Sequence, residues 1–274
     1  MRTDHGPVVI IGAGVIGLAT AQRLLDDGRE VVLIDPGEPG AGASFGNAGT
    51  IAGYGCVPVG TPAVLRAIPR LLLARDSPFA MPPAALPAML PWLWRFVRAS
   101  TPAAARENAA ALAALLAQAG PAWERRWAAL GCEDLVRRAG CLYVSREAPD
   151  RQAFDFQLRS QHGVRQEVLL PADVAALEPA LADSRRHGVF FPDAVHLSCP
   201  ATLMKRMADD ALRRGARLMR ASATGLRRDG SAAVIELDDA GRRDSLRAAG
   251  VVLAAGAHSR ALARQAGERV PLDT

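Results

Sequence analysis

A chain of 274 residues is long enough to bury one large core or two modest ones. Half of its residues are hydrophobic and 22% are charged, a balance that excludes an intrinsically disordered protein. The formal net charge of +5 invites a nucleic-acid partner, but the cations are scattered arginines interleaved with acids, as in Arg242-Arg243-Asp244, and Lys205 is the only lysine; with no basic stripe and no reader motif, nucleic acid is set aside.

Val8-Val9-Ile10-Ile11 is a continuous apolar run, the pattern of a parallel strand covered on both faces. Gly12, Gly14 and Gly17 follow at once, and Leu18 to Asp27 reads as a helix with Leu18, Ala21, Leu24 and Leu25 inward. Val31 to Ile34 is a second apolar strand, closed by Asp35-Pro36-Gly37, which completes a βαβ unit of about 30 residues. Residues 37–60, rich in Gly and Ala, read as a backbone-contact loop opening a short helix. Thr61 to Ser100 is apolar but punctuated by Pro62, Pro69, Pro78, Pro82, Pro83, Pro87 and Pro91, which predicts short helices broken at prolines. Ala103 to Gly131 is strongly helical, with a break expected near Gly120-Pro121. Gly140–Val144 and Gly188–Phe191 read as strands. Pro200 to Arg214 is an amphipathic helix with Leu203, Met207 and Leu212 for packing, followed by strands near Arg217–Arg220, Ala232–Leu237 and the end of Arg243–Ala248. Gly250 to Ala255 is a last apolar strand, ending in Gly256-Ala257.

The chemistry concentrates at Gly12-Ala13-Gly14-Val15-Ile16-Gly17. In such a turn the first glycine permits the tight exit from the strand, the second lets backbone approach a diphosphate, and the third lets helix and strand pack closely. The helix start offers N–H groups and about half a positive elementary charge to that diphosphate. Asp35, at the end of the second strand, is placed to accept ribose hydroxyl hydrogen bonds and disfavours a 2′-phosphate. Flanked by strand, helix and acid, the turn marks a dinucleotide site, and by itself leaves FAD and NAD both open.

Beyond Asp35, the segment Ala43-Ser44-Phe45-Gly46-Asn47-Ala48-Gly49-Thr50 carries the Ser44 hydroxyl and the Asn47 carboxamide among mostly small residues. Here the chain resembles the D-amino-acid oxidase/dehydrogenase (DAO) family of FAD-dependent oxidoreductases, whose members carry a similar Ser-x-x-Asn-Ala-Gly. The resemblance continues in VPVGTPAVLRAIPRLLLARDSPF and PWLWRF, in GCLYVS, in LPADVAALEPAL, in FFPDAVHLSCPATL, and in the turn Val251–Ser259. These cover essentially the whole chain in family order. Two positions depart from it, Val195 where glycine is frequent and Cys199 where aspartate is usual.

The resemblance implies an α/β (α+β overall) fold: a Rossmann-like FAD-binding domain of residues 1–80 and 198–274, with an inserted substrate domain, 81–197, of mixed or antiparallel sheet plus helices. It implies FAD held by Gly12, Ala13, Gly14, Val15, Ile16, Gly17, Asp35, Pro36, Ser44, Asn47, Ala48, Gly49, Ala255 and Gly256, with the backbone of Ala223 at the adenine. It further implies oxidation of the CH–NH bond of an amino acid or related amine by hydride transfer to flavin N5, with oxygen and quinone both open as acceptors. No catalytic side chain is assigned. Family members run on past Val270-Pro271-Leu272, so the C-terminal part of the substrate domain is expected to be absent. The competing readings are a flavin module without independent catalysis, truncated or completed by a partner subunit, and an NAD-dependent dehydrogenase, which leaves Ser44–Gly49 unexplained.

Individual side chains have plainer readings. His196 and His258 read as backbone-paired loop residues, Cys199 as a small buried hydrophobe, and Tyr54 as a packed aromatic. His5, His162 and His187 share no ligand spacing, and Cys56, Cys132, Cys141 and Cys199 lack Cys-x-x-Cys or Cys/His spacing, so no metal is expected. With no secretory leader in view, the chain reads as cytoplasmic with reduced thiols. Ala80 to Val97, with Trp92, Trp94, Phe96, Arg95 and Arg98, fits burial against the substrate domain and also peripheral contact with a membrane.

Overall fold

A computed structural model describes residues 6–73 and 83–270 of the protein. His5, Pro78, Ala80, Pro82, Pro271 and Leu272, named above, lie outside the described residues. In chain order, strand β1 (Val8–Ile11) passes through the glycine turn into helix α1 (Val15–Asp26) and strand β2 (Val31–Asp35). A two-residue strand, β3 (Thr50–Ile51), precedes helices α2 (Pro62–Leu73), α3 (Leu86–Ala99) and α4 (Pro102–Leu130). Then come β4 (Val136–Arg137), β5 (Cys141–Ser145), α5 (Phe154–Gln161), β6 (Glu167–Leu169), α6 (Pro171–Leu177), β7 (His187–Phe191) and β8 (Val195–Leu197). The chain continues with α7 (Pro200–Arg213), β9 (Arg217–Arg220), β10 (Ser222–Asp229), β11 (Ala232–Asp239), β12 (Arg242–Ala248), β13 (Gly250–Leu253) and α8 (Ser259–Gln265).

The chain divides into two compact units, one of Met1–Gly49, Ala129–Leu135 and Leu197–Thr274, the other of Thr50–Ala128 and Val136–His196. In the first, a parallel sheet runs in the order β13-β1-β2-β9, with Val8 opposite both Gly250 and Val31. Every residue of β1 is buried, as are Val31 to Ile34 of β2, which is why both read as unbroken apolar runs. Val9, Ile11, Val32 and Ile34 face a core completed by Leu226, Ile235 and Leu237 of the antiparallel sheet β10-β11-β12 and by Leu262 of α8. Burying side chains of this size stabilises by about 1.5–3 kcal/mol each. On the opposite face α1 lies over Ile10 and packs on α7. Leu18 and Ala21 are fully buried, as expected, but the third inward residue is Gln22, whose Nε2 donates to Asp210 Oδ2 (3.1 Å) and to the Met207 carbonyl (3.4 Å). In α7, Leu203 and Met207 are buried, whereas Leu212 is 40% exposed; Met204, Ala208 and Ala211 fill the inner face instead.

The second unit holds the sheet β5-β7-β6, antiparallel throughout, and the pairing of β3 with β8. Three of the prolines do not break helices, since Pro69, Pro91 and Pro121 lie inside α2, α3 and α4, whereas Pro62 and Pro87 sit at helix starts as expected. An interior proline removes one donor and costs about 3 kcal/mol. In α4 that cost is offset on both sides of Pro121, by buried Ala105 and Ala109 before it and Trp127 after it.

Strand β10 has no counterpart in the sequence reading, because a register shift between Ala223 and Gly225 breaks its alternation. The neighbouring hairpin is tighter. Asp239 pairs with Arg242, leaving the two-residue turn Ala240-Gly241 with φ of +50° and +93°. Alanine is strained there, while asparagine tolerates the left-handed region. Ala240→Asn is expected to stabilise the protein by about 0.5 kcal/mol, read as a rise in thermal midpoint; a fall would contradict this account of the turn.

Candidate cofactor site

Gly12 leaves β1 with φ +106° and donates its N–H to the Ile34 carbonyl at 2.8 Å. A Cβ there would stand 2.4 Å from the Ala254 carbonyl oxygen, and one on Gly17 would stand 1.9 Å from that of Gly12. Both contacts are with backbone, which cannot swing away. Gly14, the N-cap of α1, is different: its added Cβ would meet only Ser44 Oγ, at 3.2 Å. Gly12 and Gly17 therefore clamp α1 against β1 and β13, and Gly14 keeps the outer side of the turn accessible to a large group.

The first-turn N–H groups of α1 lack i−4 carbonyl partners within the helix. That of Val15 donates to Ser44 Oγ at 2.9 Å, and the first turn contains no acidic residue of its own. Ile16, in the same turn, is 67% exposed. Opposite, Asp35 is fixed at both oxygens: Oδ2 accepts from the Ala13 N–H (2.8 Å) and Oδ1 from the Gly37 N–H (2.9 Å). Each carboxylate oxygen has a second lone pair, so the anchored group keeps acceptor capacity for the two hydroxyls of a ribose. The loop after exposed Pro36 returns to the glycine turn, with the Gly40 N–H on the Ala13 carbonyl (2.9 Å). Glu38 pairs with Arg220 of β9, and Gly40, with φ +79°, lies where a Cβ would be 2.6 Å from that of Met204. The sequence reading missed these two braces; the second glycine of Pro36–Gly40 was the visible signal.

The loop that bears Ser44 is held at both ends. Asn47 donates from Nδ2 to the Ser44 carbonyl (3.0 Å) and accepts the Gly49 N–H on Oδ1 (2.8 Å), so its carboxamide shapes the loop. Gly49, with φ +66°, accepts the Leu197 N–H at 2.8 Å, and a Cβ on it would lie 2.6 Å from the Leu197 carbonyl oxygen. Ala48 beside it is exposed. Ser44→Ala removes the acceptor of the Val15 N–H and one hydroxyl; the expected result is a roughly fivefold loss of FAD affinity, about 1 kcal/mol, in a fluorescence titration, with little change in melting.

The remaining expected positions flank the turn. The Ala254 N–H donates to the Ile11 carbonyl (2.8 Å), which extends the β1–β13 pairing and sets Ala255 beside Gly12. Gly256, with φ +54°, opens an exposed 3-10 turn. Ala223 on β10 and Ala255 both pack on the core built by Val9, Ile11, Val32 and Ile34. The structure thus brings Gly12–Gly17, Asp35, Ser44 and Ala255 to one end of the parallel sheet, where such sheets bind ligands.

Residues 7–274 match the family described as FAD dependent oxidoreductase (DAO). The chain belongs to this family. It is 34% identical over 275 aligned residues to a D-amino-acid oxidase of Bradyrhizobium diazoefficiens, an alignment covering 97% of this chain and 64% of the relative. It is 33% identical over 183 residues to D-amino acid dehydrogenase 2 of Ralstonia nicotianae, covering 65% of this chain and 43% of that one. In fold it is similar to glycine oxidase from Geobacillus kaustophilus, with a TM-score of 0.61, 21% identity, and 96% of this chain and 59% of that chain covered. The alignments therefore span between 43% and 64% of the length of these relatives.

For a DAO-family chain, the residues present fit FAD: the Gly12–Gly17 cradle admits a diphosphate that Cβ atoms at Gly12 and Gly17 would deform, and Asp35 is already oriented. His196 lies on β8, with Nε2 2.9 Å from the Gly140 carbonyl and Nδ1 3.1 Å from Thr50 Oγ1, so it is fully engaged with its neighbours. His258 is exposed. Tyr54 is packed, stacked on Phe191 at 4.2 Å, and burial together with its bond to Cys141 Sγ (3.3 Å) pushes its phenol well up. Cys199 is a correction: it is half-buried at the N-cap of α7, where the Thr202 hydroxyl (3.1 Å) and backbone N–H groups hold its thiol below the ordinary range. Among the described residues no cluster of His, Cys, Asp or Glu could hold a metal ion, and no helix is long and apolar enough to cross a membrane.

Proposed function

We propose that the first unit binds FAD in the cradle and that the whole protein oxidises the CH–NH bond of an amino acid or related amine. The observation that carries this reading is the clamped Gly12–Gly17 turn facing the doubly anchored Asp35, in a chain whose relatives bear the names D-amino-acid oxidase and D-amino acid dehydrogenase. Bound FAD supplies a two-electron acceptor for the hydride of the substrate Cα. The chain's own residues do the holding. First-turn N–H groups of α1, with Ser44 bridging to Val15, bind the diphosphate; Asp35 binds the ribose; backbone at Ala223 borders the adenine; and Ala255–Gly256 border the opposite flank. The substrate, having lost the Cα hydride and an amine proton, leaves as an imino acid, which water converts to a keto acid with release of ammonia or, from a substituted amine, of the corresponding amine. The second unit, in this reading, contributes to holding the substrate.

Purification tests it. A yellow protein that releases FAD on denaturation and reduces an artificial acceptor with D-amino acids is expected. A colourless protein refusing added FAD would sink the cofactor reading; a yellow protein without turnover would leave a flavin-binding module.

The same reading includes a peripheral station on the cytoplasmic face of a membrane, with a quinone as electron acceptor. Its support is α3: Leu86, Leu90, Trp94 and Val97, at helical spacing on one face, are between 41% and 61% exposed, and the Arg98 guanidinium lies 4.7 Å over the Trp94 ring. Arg95 and Arg98 supply charge for anionic headgroups. Co-sedimentation with phosphatidylglycerol vesicles at low salt is expected, and Leu90→Glu with Trp94→Glu should abolish it. Binding that survives both changes would remove α3 from the account.

A further inference from the structure

We infer that Glu38 is a positioning residue for the cofactor's ribose: it holds Arg220 off Asp35 and so keeps that carboxylate open to the sugar hydroxyls. The inference rests on the flavin reading and concerns the same end of the parallel sheet. In the pairing of β2 with β9, Asp35 stands directly opposite Arg220. Neighbouring strands lie about 4.8 Å apart and register partners project from the same face, so Asp35 is well within reach of the guanidinium. Opposite charges so placed can form an ion pair. Here each takes another partner. Asp35 accepts the Ala13 and Gly37 N–H groups, while Arg220 Nη2 pairs with Glu38 Oε1.

The diversion matters because of what Asp35 has left to offer. Each of its oxygens already accepts one N–H, and the remaining lone pairs are those a ribose needs. A guanidinium presents several donors in a rigid fork and would fill them in place of the sugar. Glu38 is held where it can prevent this. Its carbonyl accepts the Ala41 N–H at 3.0 Å, and the loop is anchored separately by the Gly40 N–H on the Ala13 carbonyl (2.9 Å) and by Gly40 against Met204. These contacts set the course of the loop without the ion pair, so what the Glu38 carboxylate adds is capture of a cation. Glu30 is engaged with Arg217 at the opposite end of the same strands. Arg220, released from Glu38, would therefore turn to Asp35.

Fluorescence titration of the FAD-free full chain with FAD tests it, on the wild type, on Glu38→Gln, and on Glu38→Gln combined with Arg220→Met. Glu38→Gln is expected to weaken FAD about fivefold, the competition that an exposed ion pair can exert. Removing the freed cation as well should return the affinity to within about twofold of wild type, so the second substitution repairs the first. A loop brace gives the opposite order, because the double variant would then bind no more tightly than the single one. Thermal midpoints of the three FAD-free proteins should agree within about 2 °C, since both side chains of the pair are more than half exposed. Unchanged affinity in Glu38→Gln, or a double variant as weak as the single, would overturn the inference and leave the cofactor reading standing. A wild type that refuses FAD would overturn both.

Discussion

Gly17→Ala is expected to give a colourless protein that melts well below the wild type. The added methyl carbon would lie 1.9 Å from the Gly12 carbonyl oxygen, and that oxygen belongs to a turn already fixed on both sides. The Gly12 N–H is bound to Ile34, and the Ala254 carbonyl closes off the other flank. No rotamer change relieves such a contact, so α1 must move off β1. Overpacking typically costs 1–3 kcal/mol, and a backbone neighbour puts this case at about 3 kcal/mol. A chain of this size should then lose roughly 6 °C or more in thermal midpoint. Moving the helix start also moves the N–H groups that meet the diphosphate, so FAD affinity should fall at least about a hundredfold. Gly120→Ala is the control. Gly120 lies inside α4 with open space around its Cβ position and an ordinary φ, so alanine there should raise stability by up to about 1 kcal/mol. Equal melting and equal FAD content in Gly17→Ala and wild type would remove the clamp from the account.

The features legible in the sequence are those whose causes are local. Val8–Ile11 and Val31–Ile34 announce buried parallel strands because every residue of each run is apolar, and Gly17 is demanded by the nearby carbonyl of Gly12, whereas the contact that demands Gly12, with Ala254, is long-range. Long-range compensation was not legible. Pro121 predicts a break, yet α4 runs through it because Ala105, Ala109 and Trp127 are buried on either side. Gln22 looks like a surface residue of α1 until α7 arrives with the Met207 carbonyl and Asp210. Strand β10 hides behind its own irregularity, and Leu212 looked as apolar as Leu203 but falls on the outer face. At the site, the positions of Asp35 and Ser44 were readable from the order of elements. Their bonds to Ala13 and Val15, spanning 22 and 29 residues, were not.

Those long-range bonds make Asp35 the most informative residue to change. In Asp35→Ala the Ala13 and Gly37 N–H groups both lose their acceptor, and Ala13 is fully buried. An orphaned buried donor costs about 1–3 kcal/mol, so the FAD-free protein should be destabilised by about 2 kcal/mol. The nucleotide would lose its ribose partner as well, with FAD affinity down by about two orders of magnitude. Asp35→Asn separates the two effects. Its single carbonyl oxygen can accept from Ala13 or from Gly37 but not both, while the NH₂ group meets the other N–H donor face to face. Melting of the FAD-free Asn variant should therefore lie between wild type and Ala. Its FAD affinity should fall nearly as far as that of Ala, because a donor now stands where ribose hydroxyls need an acceptor. If affinity instead tracked stability across the three proteins, Asp35 would be a brace for the glycine turn and nothing more. If neither quantity moved, the carboxylate would have no part in the cradle.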